Sequence, residues 1–261
     1  MRRTLLLSLL ALSLISAGLS AETTQEKGLV IASEADRRDT GFQDFTADMT
    51  MILRNRQGDQ SVRAIRSRTL EVKNDGDKNL VIFDEPADVK GTAFLSYTHA
   101  TQPDDQWLYL PALKRVKRIA SSNKSGPFMG SEFAYEDISS QELAKYTYNY
   151  LRDETLDGQD CYVVERRPAD EYSGYTKQLV WVDKQHYRPL KIEFYDRKDS
   201  LLKTLTNHGY QQYLQQYWRP DEMRMINHQT GKTTVLQWKN YRFRTGLGER
   251  DFDQNSLQRA K

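Results

Sequence analysis

Cysteine is nearly absent. Cys161 is the only one, so no intramolecular disulfide framework and no cysteine zinc cluster can form, and stability has to come from burial. Histidine is almost as scarce: His99, His186, His208 and His228 lie scattered, without metal-ligand spacing, and each reads as a surface or hydrogen-bonding residue. The chain has no Gly-x-Ser-x-Gly elbow and no glycine-rich nucleotide loop, and Asn123-Lys124-Ser125-Gly126 lacks the preceding glycine spacing of a phosphate loop. Adjacent acids such as Asp104-Asp105 and Asp153-Glu154 fall in turn-like sequence, where carboxylates are ordinarily solvated. Catalysis, a cofactor and a metal site are all unsupported by these residues.

Long apolar runs are missing as well. The longest, Leu5 to Ile15, is too short for a comfortable membrane span. It follows Arg2 and Arg3 and leads into Ser16, Ala17, Gly18, Ser20 and Ala21, the layout of a Sec-type signal peptide cleaved after Ala21. Residues 1–21 are therefore expected to be removed and residues 22–261 to form a single soluble domain. No cysteine stands near the cleavage region, so a lipid anchor at the new N-terminus is chemically excluded. Loss of two arginines brings the formal charge from +2 to zero, which argues against bulk attraction to nucleic acid or anionic lipid.

What is present is strand sequence rich in tyrosine. A helix is expected over Glu22 to Arg38, with Leu29, Val30 and Ala32 among charges and Gly41 closing it. Phe45, Ala47, Met49, Met51 and Leu53 then alternate with polar residues at period two, and Asn55 to Asp59 turns the chain into a return strand over Val62 to Val72. Further strands are predicted at 79–83, 92–97, 107–110, 116–119, 146–151, 161–166, 177–182, 190–195, 202–207, 222–227 and 233–243, punctuated by turns such as Asp157-Gly158 and Thr230-Gly231. Ser140 to Lys145 reads as a short helix. So many strands in one domain imply an antiparallel sheet that curls or closes; the fold class is α+β, mainly β.

Residues 107–138 are the most distinctive stretch. Trp107 to Leu110 and Val116 to Ile119 form a hairpin whose turn and return strand carry Lys114, Arg115, Lys117 and Arg118. A turn-rich loop follows, loaded with Phe128, Met129, Phe133 and Tyr135. Such residues either fold back onto the core or line a pocket for an amphiphilic ligand. The four cations are either a solvated strand face or an anion site. Met49, Met51, Met129, Met223 and Met225 suit a surface that repacks around varied apolar ligands, and equally suit plain core filling.

The run QWLYLPALKRVKRIASSNKSGPFMGSEFAYED resembles the signature stretch of the periplasmic outer membrane lipoprotein-sorting family, LolA-like proteins. Further similarity lies in Asp84 to Leu95, in Trp218-Arg219-Pro220 with Met223, and in Gln229 to Lys232 with Trp238. The resemblance implies a half-barrel: a strongly curved antiparallel sheet wrapped over a few helices and enclosing an apolar cavity. It also implies a periplasmic carrier of lipid, lipoprotein acyl chains or another amphiphile, monomeric, in transient membrane contact and working alongside an RND-type inner-membrane exporter. On that reading Met49, Met51, Leu53, Phe94 and Trp107 line the cavity, and Phe128, Met129 and Phe133 form a mobile lid. Lys114, Arg115, Lys117 and Arg118 meet a headgroup or an acidic partner at the rim.

Two other readings stay open. A lipid-sensing periplasmic regulator would use the same fold, although the chain shows no additional interaction domain. A carbohydrate-binding module would use Trp107, Trp181, Trp218 and Trp238 as stacking platforms, but these lie on separate predicted strands.

Overall fold

The computed structural model describes residues 22–259; the expected signal segment lies outside them. The chain opens with α1 (Thr24–Asp39), whose first turn is closed by a reciprocal capping box. Thr23 Oγ1 accepts from the Glu26 amide at 3.1 Å, and Glu26 Oε2 accepts from the Thr23 amide at 2.8 Å. These bonds satisfy two of the orphan donors that any helix start exposes. The helix ends at Thr40, with Arg37 and Arg38 in its last turn, where cations suit the negative end of the helix dipole.

Six strands follow as a meander: β1 (Asp44–Arg54), β2 (Gln60–Leu70), β3 (Lys78–Glu85), β4 (Ala93–Tyr97), β5 (Asp105–Leu110) and β6 (Arg115–Ile119). After residues 120–145 the chain resumes with β7 (Tyr146–Leu156), β8 (Gln159–Pro168), β9 (Lys177–Asp183), β10 (Pro189–Tyr195) and β11 (Leu201–His208). A small arm, β12 (Gln211–Tyr213) with β13 (Tyr217–Arg219), precedes β14 (Glu222–Asn227) and β15 (Thr233–Phe243), and α2 (Gln254–Arg259) ends the described chain. The strand order β6-β5-β4-β3-β2-β1-β15-β14-β11-β10-β9-β8-β7 makes one antiparallel sheet of 13 strands. The predicted hairpin over 107–119 is present as β5–β6, and the Asp157-Gly158 turn carries positive φ at both residues (49° and 80°), which suits the twist of the flanking strands β7 and β8.

Curvature comes from irregular pairing. Register shifts interrupt β1 against β15 at Thr46/Asp48, β7 against β8 at Tyr150/Arg152 and β9 against β10 at Pro189/Lys191; each such bulge bends its strand and adds local twist. Strands β6 and β7 stay at opposite edges, so the sheet is a trough that never closes into a barrel.

The chain has to travel from edge β6 to edge β7 between the two meanders, and residues 120–145 make that crossing. Buried side chains on this segment, including Phe128 and Phe133, join the concave core with Met49, Met51, Phe83 and Phe94 of the first meander and Val164, Ile192 and Leu205 of the second. Ser140 to Lys145, expected as a short helix, forms only a 3₁₀ turn at Leu143–Lys145. Helix α1 covers edge strand β7. A Cβ built on Gly28 would lie 2.8 Å from the Tyr150 amide nitrogen, so glycine is what admits this close approach of helix to strand. The convex face has a separate core in which Leu80, Ile82, Ala93 and Leu95 pack against Phe252 and Leu257 around α2. Neither α2 nor the β12–β13 arm was evident from the sequence pattern.

Candidate functional site

The trough is not filled by its own side chains. A cavity of about 1840 Å³ lies against its concave face, beyond the roughly 300–1,000 Å³ usual for small-molecule pockets. Met49 of β1, Val81 of β3, Val164 of β8, Val180 of β9, Ile192 of β10 and Leu236 of β15 line it, together with Ile31 of α1. All of these are buried. They reach one space because every strand alternates, and the same parity of each faces the concave side. Valine and isoleucine predominate among them because the pleated surface favours β-branched residues.

The crossing segment forms one wall. Phe128, 0% exposed, packs against Phe94 with ring centroids 5.1 Å apart, Tyr135 at 5.5 Å and Phe83 at 6.1 Å. Its amide donates to the Phe133 carbonyl at 2.7 Å, pinching the loop shut. The loop is tied to the second meander by a buried ion pair: Lys203 Nζ lies 2.6 Å from Asp137 Oδ2, with side chains 4% and 7% exposed. The Tyr175 hydroxyl donates to the same carboxylate at 2.9 Å, the Ala134 amide donates to it at 2.7 Å, and Lys203 Nζ also donates to the Glu132 carbonyl at 2.8 Å. Burial raises the Tyr175 hydroxyl well above the usual tyrosine range, so it stays a donor. Glu136, pushed up mainly by burial, accepts from Ser173 Oγ and the Gly174 amide, both at 2.8 Å.

The solvent-exposed part of the lining is acid-rich. Asp36, Asp39 and Asp75 are exposed, with Glu71, Asp77 and Glu142 half-buried beside them. Burial pushes Asp77 up to about 7, reinforced by the nearby Glu142, Glu71 and Asp39 charges and opposed by a hydrogen bond from Ser140 Oγ at 3.1 Å. Glu142 is raised too, again chiefly by burial. Most cations of the lining are already engaged: Arg37 and Arg38 pair with Glu34, Arg188 with Asp183 and Arg219 with Asp39. Among the described residues, no group of three or more His, Cys, Asp or Glu side chains is placed to hold a metal ion.

A family model described as "-like: Uncharacterized protein" matches residues 75–259. The structure matches the crystal structure of a putative outer membrane lipoprotein-sorting protein domain from Vibrio parahaemolyticus with a TM-score of 0.88 and 62% sequence identity, covering 90% of this chain and 99% of that one. The chain belongs to the LolA-like outer membrane lipoprotein-sorting family. A DUF1329 family protein from Desulfovibrio piger is similar at TM-score 0.86 and 32% identity, over 90% of this chain and 99% of that one. A LolA superfamily protein from Nitrosomonas europaea is similar at TM-score 0.70 and 25% identity, over 90% and 100%. No curated protein matches the chain significantly.

In this LolA-like chain the residues singled out from sequence separate into groups. Met49, Phe128 and Phe133 line the cavity. Met51 and Phe94, each 0% exposed, and the half-buried Leu53 and Met129 pack in the same concave core but do not border the open space. Trp107 is on the other face of the sheet, where it meets Tyr97 edge-on at 5.0 Å in the convex core. Alternation puts Trp107 and Leu108 on opposite sides, and Leu108 takes the concave one. In the segment expected as a lid, the Phe128 and Phe133 rings are buried and the bonds above tie the loop to the second meander. Lys114, Arg115, Lys117 and Arg118 are exposed on the β5–β6 hairpin at the sheet edge, with Arg118 paired to Asp105. They do not border the cavity, whose exposed rim is acidic. Sequence reasoning missed the inward residues of the second meander, Val164, Val180 and Ile192, although alternation in those strands carried the signal.

Proposed function

We propose that this chain is a periplasmic, non-enzymatic carrier that takes the acyl chains of a lipid or lipoprotein into the trough cavity. The observation that carries the proposal is an unfilled space of about 1840 Å³ walled by apolar side chains from both meanders and α1. Each methylene removed from water contributes about 0.8 kcal/mol, so an acyl chain of ordinary length faces a barrier on the order of 10 kcal/mol to leave a bilayer unaided. A cavity offering equivalent apolar contact removes most of that barrier. Membership in the lipoprotein-sorting family and a secretory-type N-terminal sequence support the same reading, and no described helix is long and apolar enough to cross a membrane.

Cargo exchange with an RND-type inner-membrane exporter follows from the sequence resemblance, and we assign the exposed Lys114, Arg115, Lys117 and Arg118 edge to that contact. The carrier reading is tested by organic extraction and mass spectrometry of the purified mature protein, followed by exchange with a labelled phospholipid. Co-purifying lipid and saturable uptake are expected. A protein that carries none and takes up none would be a regulator or scaffold on the same fold.

A further inference from the structure

The two edges of the sheet are treated differently. Edge β7 lies under α1, where Gly28 lets the helix approach closely. Edge β6 is bonded only to β5, and each of its residues is exposed or half-buried. In an antiparallel pair every second residue turns its N–H and C=O away from the neighbouring strand, so β6 offers a row of backbone groups to a further strand.

Charge decides which strand that is. From Gln106 to Ser131 the chain holds no acidic residue, yet Lys114, Arg115, Lys117 and Arg118 crowd its hairpin. Of these four only Arg118 is ion-paired among the described residues, with Asp105. The register against β5 sets Lys117 opposite Leu108, on the concave face, and Arg118 opposite Trp107, on the convex one, so cations stand on both faces of the edge. Arg115 shares the face of Lys117, and Val116 between them turns to the convex core. Like charges directly opposite each other disfavour pairing, so this edge rejects a second copy of itself. The same charges attract a strand with acids at alternate positions. A lipid surface would answer the charges but offers no ladder of N–H and C=O groups at strand spacing.

We infer that β6 docks an acidic, extended segment of a partner protein, added to the sheet as a further strand with carboxylates opposite Arg115 and Lys117 and an apolar residue opposite Val116. Backbone hydrogen bonds supply the pairing and the cations select the partner. The inference rests on the assignment of this edge to a partner contact and specifies the form of that contact as strand addition. One short strand with solvent-exposed ion pairs makes a weak, rapidly exchanging interface, which suits a carrier that must leave its partner again.

The test uses the mature protein and a fluorescein-labelled peptide of about ten residues, alternating glutamate and valine, with binding read by anisotropy. Saturable binding is expected. It should weaken about tenfold when the glutamates of the peptide are replaced by glutamine, and at least about tenfold when all its backbone nitrogens are methylated, which keeps the charge and deletes the ladder donors. Arg115→Glu combined with Lys117→Glu should abolish it. No binding of the glutamate peptide overturns the inference and leaves the cations as a guard against self-pairing. Equal binding of the glutamine or the methylated peptide, or binding that survives the double charge reversal, overturns it as well. So does association with phosphatidylglycerol vesicles in place of the peptide, which would assign the cations to a lipid surface. Uptake of labelled phospholipid is read at the cavity, which these residues do not border, so the carrier reading and the docking edge fail separately.

Discussion

Asp77 shows how a single side chain couples the cavity rim to pH. Its carboxyl titrates at about 7 in the folded chain, against roughly 3.9 for a free aspartate. Between those values the native state holds a proton that the unfolded state has lost, so stability falls as pH rises from about 4 to 7 and stays lowered above it. Asparagine keeps a side chain that can accept the Ser140 hydrogen bond and cannot ionise. Asp77→Asn is expected to stabilise the protein by on the order of 2 kcal/mol at pH 8 and to be neutral near pH 4, measured by urea unfolding at both values. Equal effects at the two pH values would show that Asp77 does not carry the strain of the acidic rim.

At the scale of elements, the crossing segment matters most, and Lys203 with Asp137 holds it. Lys203→Met leaves a buried carboxylate with two donors but no counter-charge, a loss expected to cost about 3–5 kcal/mol. Asp137→Asn together with Lys203→Met removes both charges and should restore much of that loss. A denaturation cycle over the four proteins checks this, and a double variant as unstable as the worse single one would refute it. The strands themselves were legible beforehand, because alternation such as Ala47, Met49, Met51 and Leu53 marks a half-buried strand whatever its neighbours. The path of residues 120–145 was not. Aromatic content left open whether the segment folds onto the core or lines a pocket, and only the order of strands, with β6 and β7 at opposite edges, requires it to run across the trough. Trp107 failed for a related reason: period two says that Trp107 and Leu108 part company, and which of them faces inward is decided by α2 covering the convex side.

For the whole molecule, cargo and stability are linked. A ligand that binds only the folded trough raises its stability by about 2.7 kcal/mol at a concentration one hundred times Kd, which for a chain of this size corresponds to a melting shift of roughly 5 to 10 °C. Calorimetry of delipidated protein with and without phospholipid checks this; a midpoint that does not move would speak against a ligand held inside the fold. The candidate site was legible as a face before it was legible as a space. Sequence could name Met49 as inward-facing, but whether inward residues meet one another or stand apart depends on the bending of all thirteen strands together. The acidic rim likewise gathers residues from α1, the β2–β3 turn and the segment before β7, which are remote in sequence.

Because β6 and β7 never bond to each other, the girth of the trough is not locked by a ring of backbone hydrogen bonds, as it is in a closed barrel. A slight unwinding of twist, shared over many strands, can spread the two rims while every ladder stays intact. Such a container can grip a slender guest and a stout one with the same walls, and can release either by relaxing.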